Sequence, residues 1–132
     1  MARNPESELT DWFRSLLNSH GAYTVKLSDQ FSRGVPDLWV VTDRNVLVEL
    51  KIGDRGSDQA SYKSLKLTGA QDQRIREVCR RCSNGAFVLT GTRTGDNPKL
   101  WSPVSPENVG RGWDRYRCVA DTVEDILREL GI

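Results

Sequence analysis

The chain begins with apolar residues at intervals of three or four positions, which place one stripe on a helix: Leu9, Phe13, Leu16 and Leu17. This spacing predicts an amphipathic helix over residues 4–21. Asn4 is suited to cap that helix, Pro5 fits its first position, and Gly21 can end it. The first element is therefore predicted to be a helix that buries one face.

Short apolar runs follow this helix, several of them alternating with polar residues as in half-buried strands. We predict a strand at 22–27, a hairpin made of 37–42 and 45–52, a helix at 68–82 and a buried strand at 86–91. An order of helix, three strands, helix and strand is typical of an α/β sandwich with a mixed central sheet.

The other segments carry weaker patterns. We predict a mobile polar loop at 53–66, a short strand at 99–104, an irregular stretch at 103–118 and a helix at 121–130. Asp121 and Glu124 have the spacing of a capping box for this last helix. The length of 132 residues fits one domain, with a core at about 5–91 and a C-terminal extension at 92–132.

Composition limits the class of protein. The sequence is 37% hydrophobic and 28% charged, which is ordinary for a globular protein, and it contains no apolar run long enough to span a membrane. The first residues lack a signal-peptide pattern, and three cysteines give no paired disulfide framework. We therefore expect a cytoplasmic protein without a membrane partner. The net charge of +1 neither favours nor excludes a nucleic-acid partner.

Charged residues interrupt the predicted hairpin where apolar residues would be expected. The second strand alternates apolar residues on one face: Val46, Val48, Leu50 and Ile52. Glu49 and Lys51 are two positions apart and therefore share the opposite face. Asp37 begins the adjacent strand, so an antiparallel hairpin of this length brings it close to both residues.

Two carboxylates that meet at a partly buried place repel each other, and an unpaired buried charge costs several kcal/mol. A divalent cation such as Mg²⁺ relieves this repulsion, since it binds carboxylate oxygens and keeps several waters. Lys51 would then lie beside the metal, where it can act on a water or offset charge on a phosphate. The alternative is a structural ion pair between an acid and Lys51 on a half-exposed strand.

Two helical residues are predicted to face the same place. Glu6 lies on the apolar stripe of the first helix, although an acid there also complements the helix dipole, and Glu8 is an alternative off that stripe. Gln71 faces inward at the start of the second helix. Its alternative role is a capping box with Thr68.

The stretches "ESEL", "RGVPDLWV", "VLVELK" and "LTGAQ" occur in this order between residues 6 and 71. With "VPD" at 35–37 and "ELK" at 49–51, the chain resembles the PD-(D/E)xK nuclease superfamily. Within it, the chain is most similar to the VRR-NUC group and to archaeal and phage Holliday-junction resolvases. The resemblance covers about residues 5–91 and implies a restriction-endonuclease-like αβββαβ core.

The resemblance also implies a chemistry. Asp37, Glu49 and the carbonyl of Leu50 would bind Mg²⁺ or Mn²⁺, and Lys51 would act on the attacking water. Glu6 would match the family's first-helix acid as a further catalytic and metal-binding residue, and Gln71 its helix glutamine near the metal. The expected enzyme is an endonuclease on branched or structured DNA, leaving a 5′-phosphate and a 3′-hydroxyl. It would be a homodimer without an organic cofactor, of possible phage origin.

Basic residues outside this set are candidates for DNA binding: Arg33, Arg74, Arg80 and Arg81. Solvated helix and loop faces are the alternative for each. Three aromatic residues of the extension, Trp101, Trp113 and Tyr116, would pack in the core, form a dimer contact or stack on a base. The second functional hypothesis is a non-catalytic nucleic-acid-binding module of the same fold.

The pattern "CRRC" at 79–82 lies within the second predicted helix. Cys79 and Cys82 are expected on its buried side, where cysteine packs as a small hydrophobe. A zinc site would need Cys118 and His20 to join them in space.

Overall fold

The computed structural model describes residues 4–27, 34–53, 57–104 and 115–132. These residues form helices α1 (Pro5–Ser19), α2 (Gly69–Arg81) and α3 (Val123–Glu129). The strands are β1 (Tyr23–Lys26), β2 (Leu38–Val41), β3 (Asn45–Ile52), β4 (Gln59–Ser61), β5 (Ala86–Gly91), β6 (Lys99–Pro103) and β7 (Arg115–Ala120).

All seven strands belong to one mixed sheet with the order β1-β2-β3-β5-β6-β7-β4. β3 and β5 are parallel, with α2 in the connection between them, and the other neighbouring strands are antiparallel. The predicted αβββαβ order and mixed sheet are confirmed, with β4 inserted before α2.

Two apolar clusters hold the sheet between its helices. On one face, α1 and α3 pack on the even-numbered residues of β3, and Phe13 and Leu130 are fully buried there. On the other face, α2 packs through Ile75 against β5 and β6. The predicted stripe of α1 is confirmed in Leu9, Phe13 and Leu17, while Leu16 packs at the edge of the same cluster.

The C-terminal extension completes this sheet. β6 is where the sequence predicts it, and Trp101 and Tyr116 have no exposed surface. Core packing is therefore the role of both aromatic residues in this structure. Trp113 lies outside the described residues.

Two of the predicted irregular segments contain strands. The loop predicted at 53–66 includes β4, which pairs with β7 through Ala60 and Tyr116, and the stretch 103–118 includes most of β7. The prediction was wrong because these strands are short and polar, so no local apolar pattern marks them. Each is instead fixed by pairing with a strand far away in the chain.

Helix ends and cysteines also differ in detail. Thr122, and not Asp121, caps α3, because its hydroxyl accepts a hydrogen bond from the Asp125 amide at 3.1 Å. Cys82 is exposed instead of buried, since α2 ends at Arg81 and Cys82 adopts an extended backbone.

Candidate active site

The candidate site lies around Glu49 and Lys51 of β3, where the first turn of α2 contacts Glu49 and the first turn of α1 contacts Lys51. Leu38 pairs with Val48 across the β2–β3 hairpin, so Asp37 lies next to Glu49 one step further along. An oxygen of Asp37, Oδ2, accepts a hydrogen bond from the Leu50 amide at 2.8 Å. The predicted proximity of Asp37 and Glu49 is confirmed.

Glu49 is a buried acid in the middle of the sheet. Its exposed fraction is 3%, and its Oε1 accepts a hydrogen bond from the Gln71 side-chain amide at 3.1 Å. Among the described residues no donor reaches its second oxygen, Oε2, which is buried, and the neighbouring Asp37 carboxylate can accept a hydrogen bond from Glu49 only when Glu49 is protonated. A buried oxygen of this kind costs free energy unless a proton or a cation reaches it.

Burial, together with the charge of the neighbouring Asp37 carboxylate and a side-chain hydrogen bond with Asp37, raises the pKa of Glu49 to about 9, whereas Lys51 opposes the shift. The physical cause is the loss of water around an anion that already has a second anion beside it. Near neutral pH, Glu49 therefore holds a proton unless a cation replaces it.

Lys51 and Glu6 meet at the edge of this site. The Lys51 ammonium lies 4.0 Å from Glu6 Oε1, and its side chain is 13% exposed. Asn4 fixes the start of α1 by accepting a hydrogen bond from the Glu6 amide. Glu8, the alternative acid, lies 3.5 Å from Arg93 instead, so Glu6 is the acid of the first helix that faces Lys51.

Gln71 forms the predicted capping box and also faces inward to contact Glu49. The side-chain oxygen of Gln71, Oε1, accepts a hydrogen bond from the Thr68 backbone amide, and the Gln71 backbone amide donates to the Thr68 hydroxyl. The two bonds complete a capping box. The side-chain NH₂ group stays free for Glu49. The helix cap and the contact with the buried acid are thus made by a single side chain.

The backbone before Asp37 touches α2. Gly34 has a φ angle of +81°, and a Cβ atom there would lie 2.7 Å from the carbonyl carbon of Ala70. Only glycine allows this close approach in a left-handed conformation. The "GVPD" stretch and the first turn of α2 therefore hold each other in place.

We tested whether these residues suit the divalent metal that the resemblance implies. Within the described residues, no group of three or more His, Cys, Asp and Glu side chains is arranged to hold a metal ion. The two adjacent carboxylates do suit one, because Glu49 presents an unpartnered oxygen beside Asp37. Glu6 as a metal ligand stays a prediction, and its contact in this structure is Lys51.

Three of the arginines predicted to bind DNA, Arg74, Arg80 and Arg81, lie along α2. Arg80 and Arg81 pair with Glu77 near the end of α2, whereas Gln71 lies in the first turn of that helix. Arg74 is exposed and lies on α2 between Gln71 and Arg80. Arg33 lies outside the described residues, and the DNA-binding role of all four stays a prediction.

The cysteines and His20 form no metal cluster in the described part of the chain. Cys79 donates a hydrogen bond to the Ala86 carbonyl, and burial raises the pKa of its thiol. The structure therefore gives no support to the zinc alternative.

The sequence analysis missed one group of contacts around α2, which joins Asp72, Arg76 and Tyr116. Asp72 accepts hydrogen bonds from the Tyr116 hydroxyl at 2.8 Å and from Arg76 at 2.9 Å. The spacing of Asp72 and Arg76 by four residues was a signal for an ion pair on the helix. Nothing local indicates that Tyr116, 44 residues after Asp72, completes the group.

The sheet order, the hairpin and the two helices define the class: the chain has the restriction-endonuclease-like fold of nucleases. It is similar to a solved VRR_NUC domain, with 24% identity and a TM-score of 0.53 over 69% of this chain and 88% of that one. It is also similar to Hjc, a Holliday junction resolvase from the archaeon Archaeoglobus fulgidus. That likeness has 10% identity and a TM-score of 0.54 over 92% of each chain.

The fold implied by the sequence resemblance is thus confirmed. No protein-family model matches the sequence, and no curated protein matches it significantly. None of the helices in the described ranges is long and apolar enough to cross a membrane.

Proposed function

We propose that this protein is a divalent-metal-dependent endonuclease that cuts branched or structured DNA and leaves a 5′-phosphate and a 3′-hydroxyl. The observation that carries the proposal is the buried, unpartnered oxygen of Glu49 beside the Asp37 carboxylate. An arrangement that is costly for folding is common at catalytic sites, where it serves the reaction.

Asp37, Glu49 and the backbone carbonyl of Leu50 would hold Mg²⁺ or Mn²⁺. When bound, such an ion polarises a phosphodiester and lowers the pKa of a bound water. Oxygen donors are the ligands that these hard cations prefer, and two carboxylates supply the charge that balances one dication. The hydrogen bond from the Leu50 amide to Asp37 fixes the orientation of that carboxylate.

The remaining residues prepare the site. Gln71 donates to one oxygen of Glu49 and so leaves the other oxygen to face Asp37. Lys51, held near Glu6, carries a positive charge at the place where a phosphate would gain negative charge during hydrolysis. Lys51 is thus assigned to the attacking water or to the developing phosphate charge.

The likeness in fold to a Holliday junction resolvase supports branched DNA as the substrate. Two cuts placed symmetrically on a four-way junction require two sites, and a homodimer with twofold symmetry supplies them. We therefore propose that the protein acts as a homodimer.

The test compares cleavage of four-way, flap and linear DNA in Mg²⁺ by wild type, Asp37→Ala and Lys51→Ala. We expect wild type to cut branched DNA, and each substitution to lower the rate by more than about 100-fold. End-labelling of the products then identifies the phosphate and hydroxyl ends. Equal cleavage by all three proteins would refute the proposal.

The same experiment distinguishes the proposed endonuclease from the second hypothesis, a non-catalytic nucleic-acid-binding module. Such a module would bind DNA equally well with Mg²⁺ or with a chelator, and none of the three proteins would cut it. Thr122→Ala is a suitable control, because Thr122 caps α3, which packs on the face of β3 opposite to Glu49 and Lys51. This variant is expected to cut at the wild-type rate once its folding is verified.

A further inference from the structure

The C-terminal extension contacts the first turn of α2 next to Gln71. The Tyr116 hydroxyl of β7 donates to Asp72 Oδ1 at 2.8 Å, and Arg76 donates to the same oxygen at 2.9 Å. Arg76 also donates to the carbonyls of Val104 and Arg115 at 3.1 and 3.0 Å. Three hydrogen bonds therefore join α2 to the extension.

This contact is buried and well packed. Tyr116 has no exposed surface, while the side chains of Arg76 and Asp72 are 15% and 16% exposed. The Arg76 guanidinium lies 5.1 Å from the centre of the Tyr116 ring, within the range of a cation–π interaction. Buried hydrogen bonds to charged groups are short and directional, so they hold the helix in one position.

Asp72 follows Gln71 in the sequence, so the two belong to one turn of α2. They point in different directions, Asp72 to β7 and Gln71 to Glu49. Because a helical turn moves as a rigid unit, a shift at Asp72 moves Gln71 as well. The bond from Gln71 to Glu49 is 3.1 Å long, and a movement of about 0.5 Å takes it beyond the usual range.

We propose that Tyr116, through Asp72 and the first turn of α2, is a positioning residue for the contact between Gln71 and Glu49. The extension, which the sequence resemblance does not cover, thereby sets the geometry of the metal-binding carboxylate. The inference rests on the proposed function for its consequence in metal binding. The contact itself is measurable without metal.

The first readout is the Gln71 side-chain NH₂ signal in NMR spectra of the metal-free protein. In Tyr116→Phe the ring still fills its place, but the hydrogen bond to Asp72 is lost. We expect the Gln71 signal to shift and its hydrogen exchange to become faster, by about threefold or more. An unchanged Gln71 signal would overturn the inference.

The second readout is Mn²⁺ affinity, measured by calorimetry. We expect Tyr116→Phe to weaken binding by about 3- to 10-fold, within the range seen for residues that support metal ligands. In a Gln71→Ala background, the same substitution should change nothing further, because its effect passes through Gln71. An equal loss in both backgrounds would show a merely structural role and overturn the inference.

Asp72 provides the rescue test and a second route if Tyr116→Phe does not fold. Asp72→Asn keeps an acceptor oxygen for the Tyr116 hydroxyl, so its Gln71 NH₂ signal should keep the wild-type position and exchange rate. In Asp72→Ala the signal should shift and exchange faster, as in Tyr116→Phe. Thr24→Val is the matched control. It removes another buried hydroxyl, one that bonds Arg14 and Asn18, and both readouts should stay at the wild-type level.

The two proposals fail in distinguishable ways. If wild type and Asp37→Ala bind Mn²⁺ equally, or if neither binds it, the proposed function fails. The Gln71 signal still decides whether Tyr116 positions that side chain. If wild type binds Mn²⁺ through Asp37 and Tyr116→Phe leaves both readouts unchanged, only the further inference fails.

Discussion

Glu49 shows how a single residue can carry a functional hypothesis. Its neighbours along β3, Val48 and Leu50, are buried apolar residues, and an apolar residue at position 49 would fit the same sheet at less cost. Instead the chain buries an acid with one oxygen bonded to Gln71 and with the Asp37 carboxylate beside it. Binding of a cation in place of the proton on Glu49 would explain why an acid occupies this position.

The raised pKa of Glu49 predicts how stability depends on pH in the absence of metal. The ordinary pKa of 4.5 applies to the unfolded chain, and the folded value is about 9. Between these values the folded protein keeps a proton that the unfolded chain releases, so stability falls as pH rises. We expect the melting temperature in a chelator to decrease from about pH 5 to about pH 9.

Glu49→Gln tests the origin of this slope. The glutamine resembles the protonated acid and does not titrate. The melting temperature of the variant should therefore decrease much less with rising pH, and the variant should be more stable than wild type at high pH. Glu124→Gln changes an exposed acid of α3 and should keep the wild-type slope. A wild-type slope in Glu49→Gln would contradict the assignment of the pKa to Glu49.

The sequence predicts the residues of the site better than their contacts. Glu49 and Lys51 were inferred from a period of two on a strand, Asp37 from the pairing of an antiparallel hairpin, and Gln71 from an inward position on a helix. The structure places Asp37 and Gln71 next to Glu49 as these rules predict. The contact of Glu6 with Lys51 depends on where α1 crosses the sheet, which local spacing does not determine. Tyr116 depends on the pairing of β7 with β4 and β6, and no rule of spacing reaches that far along the chain.

At the scale of elements, the candidate site forms where three of them meet. The β2–β3 hairpin sets Asp37 beside Glu49, and the first turns of α1 and α2 bring Glu6 and Gln71 to the same strand. Strong periodic patterns predicted these elements. β4 and β7 were missed because the residues of a short polar strand favour pairing only when a partner strand is already present.

Gly34 is predicted to be essential for this convergence. In Gly34→Ala, the added Cβ meets the Ala70 carbonyl and the residue must keep a φ angle of +81°, so the "GVPD" stretch or α2 has to move. We expect a loss of more than about 1 kcal/mol in the free energy of unfolding, measured with urea. Mn²⁺ affinity should fall as well, because Asp37 and Gln71 lie on either side of the displaced contact.

Gly69→Ala is the matched control for this prediction. Gly69 is the first residue of α2, and a Cβ atom there would have no atom within 4 Å. Its effect on stability should stay within about 0.5 kcal/mol, with unchanged Mn²⁺ affinity. Equal effects of the two substitutions would show that the approach of Gly34 to Ala70 is unimportant.

At the scale of the whole molecule, the extension and the predicted core form one structure. β6 and β7 continue the sheet beyond β5, and α3 packs on the same face as α1. Fully buried residues of the extension enter both apolar clusters, with Leu100 in one and Trp101 in the other. A rigid sheet of this width holds the hairpin still, which a site built from two repelling carboxylates requires.

Metal binding should therefore stabilise the whole folded chain. Under the proposed function Mn²⁺ would bind the folded protein through Asp37 and Glu49, so saturation at about 100 times the dissociation constant would add about 2.7 kcal/mol to the free energy of unfolding. Because the proton on Glu49 has to leave first, the gain in melting temperature at a fixed Mn²⁺ concentration should be larger at about pH 8 than at about pH 6.

Asp37→Asn separates the stabilisation by bound Mn²⁺ from changes in the stability of the metal-free fold. The asparagine keeps an acceptor for the Leu50 amide and removes the charge that repels Glu49 once Glu49 is ionised. Above about pH 9, the metal-free variant should therefore melt at or above the wild-type temperature. The same substitution removes a metal ligand, and Mn²⁺ should no longer raise its melting temperature. A metal-free variant that melts well below wild type would mean that the two carboxylates stabilise the fold together, in which case the site has no need of a cation.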